Sequence, residues 1–112
     1  MRSSFARLTI TRLRYPMHTD GGVTRPDYAA EPTETPIGGC WYEPITSTID
    51  RDGRTAVRTG YNVDAPPRID LTEFDHVRID GAEHELDGRP LAVPSPSGAL
   101  DSTKFTSYRW EG

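Results

Sequence analysis

Cysteine is all but missing from this chain: Cys40 is the only one in 112 residues. A lone thiol builds neither an intrachain disulfide nor a thiolate zinc site, so packing has to hold the fold. Large apolar residues are also scarce. At 34% hydrophobic residues the core must be modest, and one domain over residues 1–112 is all it can support. No stretch approaches the roughly 20 apolar residues that a membrane-spanning helix needs. Met1-Arg2-Ser3-Ser4-Phe5 runs into charged alternation rather than an apolar signal core, so a soluble protein made inside the cell is expected, with no membrane partner. A basic run is missing too. Thirteen Lys and Arg against 17 Asp and Glu leave a net charge of −4, which gives no phosphate-neutralising stripe and excludes a sequence-specific grip on nucleic acid. A weakly acidic wall does let a polyanion slide past.

Helical periodicity is absent, whereas period-2 alternation recurs, so the class expected is all-β. Ten Pro and ten Gly divide the alternating stretches. Residues 5–14 mix β-formers with basic residues, as an edge or half-exposed strand does. From Tyr15 to Pro36 the chain turns to Pro, Gly, Asp, Glu and Thr, which predicts one long loop after the first strand; in compact domains such loops are functional or disordered. Strand character returns at Ile37, continues through Cys40-Trp41-Tyr42 to Ile45, and stops at the Asp50-Arg51-Asp52-Gly53 turn. Thr55–Val63 puts Val57, Tyr61 and Val63 on one face. Ala65-Pro66-Pro67 ends that strand, because proline cannot donate to a ladder. Asp70–Asp75 reads as a single helical turn, with Asp70 as its cap and Leu71 and Phe74 turned inward.

His76–Asp87 is a β-hairpin about Gly81, its two turn residues being Asp80-Gly81 or Gly81-Ala82. Either turn points Val77, Ile79, His84 and Leu86 to one side, and His76 and Arg78 to the other with Glu83, Glu85 and Asp87. After Gly88-Arg89-Pro90, residues 91–102 form a Pro/Ser/Gly-rich loop. Thr103–Trp110 closes the chain as a strand.

Reactive chemistry is hard to find in this pattern. His76 and His84 lie on opposite hairpin faces and His18 sits in the long loop, so the histidines do not converge on one ion; no metal and no cofactor are expected. Cys40 alternates with Tyr42 on an inward face, which makes it a buried inert thiol rather than a nucleophile. No Gly-rich phosphate loop follows a strand and opens a helix, so Gly21-Gly22 and Gly38-Gly39 mean only a flexible or tightly turned backbone, and Asp20-Gly21-Gly22 lacks the ligand spacing of a calcium loop. Trp41, Tyr42, Tyr61, Tyr108 and Trp110 lack the interleaved basic residues of a base-stacking platform and read as core and interface aromatics. No residue stands out for catalysis, and an enzyme is not expected.

The order Tyr61-Asn62-Val63-Asp64-Ala65-Pro66-Pro67, Asp75-His76-Val77-Arg78-Ile79-Asp80-Gly81, Glu85-Leu86-Asp87-Gly88-Arg89-Pro90, and a final aromatic strand ending Arg109-Trp110-Glu111-Gly112, resembles the small head-to-tail stopper (head completion) proteins of tailed phages, most of all those of actinobacterial siphophages. The likeness runs from Ile37 onward and includes the first strand with its Leu13-Arg14-Tyr15-Pro16 exit. It departs at His84, where family members often carry tyrosine, and over Val93–Gly98. The resemblance implies a small β-barrel or rolled antiparallel sandwich of about six strands. It also implies a virion location in the neck: a homo-hexameric ring below the portal-bound adaptor and above the tail terminator or tail tube, retaining packaged DNA without reading its sequence and giving the tail a docking surface. On this reading loop 15–36, with Tyr15, His18, Asp20, Gly21, Gly22, Arg25 and Tyr28, lines the channel, reaches a neighbouring subunit or drapes on the adaptor. Ala65, Pro66, Pro67, Asp75, Asp80, Gly81 and Gly88 are its structural motif, and exposed backbone on the first strand is expected to pair between subunits. The alternatives are a tail terminator or other connector ring, and a monomeric ligand-binding barrel.

Overall fold

The structure of the protein, a computed structural model, describes residues 7–111, with the backbone alone for Arg51 and Glu111. Phe5 and Ala6 of the expected first strand, and Gly112 of the closing motif, lie outside the described residues.

Nine strands and no helix make up the described chain: β1 (Leu8–Arg14), β2 (Met17–Asp20), β3 (Val23–Pro26), β4 (Thr33–Arg51), β5 (Arg54–Ala65), β6 (His76–Ile79), β7 (Ala82–Leu86), β8 (Leu91–Val93) and β9 (Ser102–Glu111). Six of them close into an antiparallel barrel in the order β1-β4-β5-β9-β7-β6, and β6 returns to β1. The alternatives of barrel and rolled sandwich thus resolve to a barrel. β8 is added on the far side of β9, and β2 and β3 form a separate two-stranded sheet.

The inward residues of the alternating pattern supply the core: Ile10, Cys40, Val63, Ala65, Val77, Ile79, Leu86 and Phe105 are all buried, with Ile37, Tyr42, Tyr61, Ile69 and Leu71 packed around them. The β6–β7 hairpin turns on Asp80-Gly81, with Ile79 opposite Ala82 and φ values of 52° and 79°, the mirror-image turn whose twist suits a two-residue hairpin loop. Val77, Ile79, His84 and Leu86 face the core as the alternation requires. A second turn of the same kind, Asp52-Gly53, joins β4 to β5, which pair from Trp41↔Asp64 to Arg51↔Arg54.

Four expectations are corrected. β1 is no edge strand: β4 covers one side and β6 the other, so its backbone is spent inside the barrel and does not pair between subunits. Residues 15–36 are not one unstructured loop, because a hairpin occupies 17–26 and β4 already starts at Thr33; cross-strand hydrogen bonding overrides the loop-like composition. Asp70–Asp75 holds a single hydrogen-bonded turn over Thr72–Asp75, where the Asp75 amide donates to the Thr72 carbonyl at 3.1 Å, and not a helical turn capped by Asp70. Asp75, not Asp70, accepts the Thr72 amide at 2.8 Å, and Phe74 points outward while Leu71 alone packs on the core. Finally, Leu91–Val93 inside the expected 91–102 loop pairs with Ser102–Lys104 as β8.

Candidate functional site

The hairpin β2–β3 stands off the barrel as an arm. The Asp27 amide donates to the Pro16 carbonyl at 2.8 Å and closes its base, and Gly21-Gly22, at φ 59° and 82°, turn its tip. Left-handed φ at both turn positions is what glycine tolerates, which explains the pair. Register places His18 opposite Arg25 and Asp20 opposite Val23 on one face; Met17 opposite Pro26 and Thr19 opposite Thr24 share the other, where the two threonine hydroxyls meet at 2.8 Å. Every residue from Pro16 to Arg25 is exposed, including Met17 at 57% and Val23 at 59%. A two-stranded hairpin with neither face covered is marginal in water. The order of this arm therefore depends on its root.

That root is a cluster on the outer wall of the barrel, built from both ends of the arm and from the outward residues of β6 and β7. Tyr15 is buried, and its hydroxyl donates to Glu83 Oε2 at 2.6 Å; His76 Nδ1 meets the same oxygen at 2.6 Å. Tyr28 stacks on the His76 ring, with centroids 4.3 Å apart and planes 11° from parallel, and its hydroxyl donates to the Phe74 carbonyl at 2.9 Å. Tyr15 meets both rings edge-on. Burial, helped by the Glu83 hydrogen bond, pushes the Tyr15 phenol up to about 12. Burial also pushes the Glu83 carboxyl up, but the hydrogen bonds from Tyr15 and His76 outweigh it and hold the group below the usual carboxylate range. Burial raises Tyr28, with the Glu85 charge adding to it. Leu13 is fully buried yet lies outside the barrel core; its register opposite His76 and Glu34 puts it on this outer side, beneath the root. Alongside, Arg78 Nη1 pairs with Glu34 at 2.7 Å.

On the inner side of β1, Arg12 and Arg14 reach into the 66–75 connection. Arg14 donates to both oxygens of Asp75 at 3.0 and 2.8 Å and to Asp70 at 2.9 and 3.0 Å, while Arg12 adds bonds to Asp70 and Thr35. The Arg14 bonds hold the Asp70 carboxyl below its ordinary range, and the two carboxylates raise the guanidinium further. Ala65 is buried, and the ring of Pro66 lies 3.3 Å from the point where a Cβ on Gly39 would stand, so the proline stop is also a packing contact. Asp80 ties the β6–β7 turn to the long ribbon by accepting the Tyr42 and Tyr61 hydroxyls at 3.3 and 3.0 Å. Gly88, at φ 84°, turns the chain after β7.

The structure thus divides the expected loop residues. Tyr15 and Tyr28 form the root, and His18, Asp20, Gly21, Gly22 and Arg25 form the arm. The sequence reading did not select His76 and Glu83 for this role, although the alternation placed both on the outward face; what it lacked was the return of Tyr15 and Tyr28 onto that face. Among the described residues no three His, Cys, Asp or Glu side chains converge on a metal position. Cys40 is buried in the core, its thiol 3.4 Å from the Ile37 carbonyl. Trp41 and Trp110 are about half exposed, and Arg58 lies 4.2 Å over the Tyr108 ring while pairing with Asp87 at 2.8 Å. No helix among the described residues is long and apolar enough to cross a membrane. Compared with protein-family models, with curated proteins and with solved structures, the chain matches none.

Proposed function

We propose that this protein is a structural component of the tailed-phage neck, working as a ring of identical barrels between the portal-bound adaptor and the tail. The observation that carries the reading is the arm: a ten-residue antiparallel hairpin, Met17 to Pro26, exposed from Met17 to Arg25 and fixed to the barrel wall at its base alone. Such an element adds little to the stability of its own barrel. Its use lies in what it reaches, and several copies around an axis narrow a channel when they point inward. The order of motifs along the sequence supports the same assignment. The charge of the arm suits a conduit: His18, Asp20 and Arg25 are its only ionisable side chains, too few cations to hold a polyanion by counterion release. Tyr15, His76, Glu83 and Tyr28 set the direction in which it leaves the wall.

The test is a deletion of residues 17–26 that joins Pro16 to Asp27 through a short glycine linker in the phage that encodes this chain. The expected result is an unchanged thermal midpoint for the isolated barrel, with heads that fill but then lose DNA or fail to join tails. Normal yield of stable, tailed, filled particles from the deletion refutes the reading.

A further inference from the structure

The outer wall carries an unmatched charge beside the arm's root. Glu85 on β7 lies in one row with His76 on β6 and Tyr108 on β9. Tyr28 stacks on that His76 ring, so the row places Glu85 between the Tyr28–His76 stack and Tyr108, and its charge adds to the burial that raises both phenols. Other acids on this side are engaged: Glu83 by Tyr15 and His76, and Asp87 by Arg58. Among the described residues Glu85 has no hydrogen-bond or ion-pair partner. It lines a shallow groove of about 250 Å³ with His76, Glu83, Tyr108, Arg109 and the half-exposed Trp110.

The arm carries the complementary groups. His18 and Arg25 are directly opposite one another, so both project from one face near the root, and the Asp20–Val23 pair continues that face toward the tip, with the carboxylate on β2 and the apolar residue on β3 beside Arg25. Neither basic residue has a partner among the described residues, and the arm makes no hydrogen bond to the wall beyond its root. The wall already shows how it takes an arginine, since Arg58 lies over Tyr108 and closes on Asp87. We propose that the Glu85 groove is the docking site for the β2–β3 arm of a second copy of this chain, with Arg25 of one subunit pairing with Glu85 of the next and Val23 covering Trp110. The contact joins two different surfaces, so it runs head to tail and closes into a ring when the rotation permits. This inference rests on the ring assembly proposed above and supplies its subunit contact.

The experiment is a charge swap in the full chain, read by light scattering and native mass spectrometry across a concentration series at low and high salt. Arg25→Glu and Glu85→Arg are each expected to weaken self-association by roughly tenfold or more, and the double variant to recover most of the loss, as close charge pairs across an interface do. Glu85→Gln should weaken association in the same direction by a smaller factor, and covers the case in which arginine at 85 disturbs the wall. Singles that assemble like the parent, or a double variant as weak as the singles, overturn the contact while leaving the ring standing. A parent chain that stays monomeric up to about millimolar concentration overturns the contact, whereas the ring itself is overturned by the outcome of the arm deletion.

Discussion

Replacing Gly60 with alanine is expected to open the barrel. Gly60 sits in β5 between Ile45 of β4 and Tyr108 of β9, on the seam that converts the sheet into a closed cylinder. A methyl group there points at backbone, not at side chains: it falls on the Ser107 carbonyl oxygen and stands 2.7 Å from both the Ser107 carbonyl carbon and Tyr108 Cα. No rotamer change relieves such a clash. To reach ordinary contact near 3.4 Å, β9 must retreat by well over an ångström, since the carbonyl oxygen is the nearest atom. That retreat carries neighbouring N–H···O pairs beyond the roughly 3.2 Å limit of a good hydrogen bond. Losing two rungs costs about 1–3 kcal/mol, and leaving their buried groups unsatisfied costs about 1–3 kcal/mol for each group. With one such group per rung the total is on the order of 3–9 kcal/mol, comparable with the whole stability of a small domain, roughly 5–15 kcal/mol. Urea unfolding followed by Trp41 and Trp110 fluorescence, together with amide-proton dispersion, reads the effect. Gly38→Ala is the control, because its added methyl meets only Thr9 Oγ1 at 3.8 Å; it should stay within about 0.5 kcal/mol of the parent. A Gly60→Ala protein that unfolds at the parent's midpoint with native dispersion would falsify the seam argument.

Two further outcomes follow from the root and from the ion network. Tyr15 has its phenol raised from the ordinary 10.0 to about 12, so its contribution is complete below pH 10 and is lost as pH rises through 12. That span corresponds to roughly 2–3 kcal/mol; Tyr15→Phe should therefore destabilise the barrel at pH 8, flatten the alkaline fall in stability, and speed amide exchange in residues 17–26, and an unchanged alkaline limb counts against the role given to Tyr15. Asp75 is buried and binds both Arg14 and the Thr72 amide. Asp75→Ala strands these donors and is expected to cost about 2–4 kcal/mol, less than for a fully enclosed pair because Arg14 keeps a third of its side chain in water. A change below about 0.5 kcal/mol in denaturant titration, the range typical of ordinary surface positions, would show that the network does not hold the 66–75 connection.

What the amino-acid order fixed without help is local and periodic. Alternation from His76 to Asp87 was enough to place Val77, Ile79, His84 and Leu86 inward, and the Asp-Gly pair at 80–81 enough to turn the hairpin, because side chains in a strand change sides at every residue. Ala65-Pro66-Pro67 likewise had to end β5, since two prolines offer no amide to a neighbouring strand. Tertiary structure alone decided the rest. The composition of Tyr15–Pro36 reads as loop, yet its backbone pairs with itself and with β1, and cross-strand hydrogen bonding leaves little trace in residue type. Basic residues gave β1 the look of an edge strand, whereas Arg12 and Arg14 meet carboxylates some 60 positions away. The root of the arm is invisible for the same reason: Tyr15, Tyr28, His76 and Glu83 are spread over 68 positions and acquire a common chemistry only when barrel closure and the arm's return bring them to one wall.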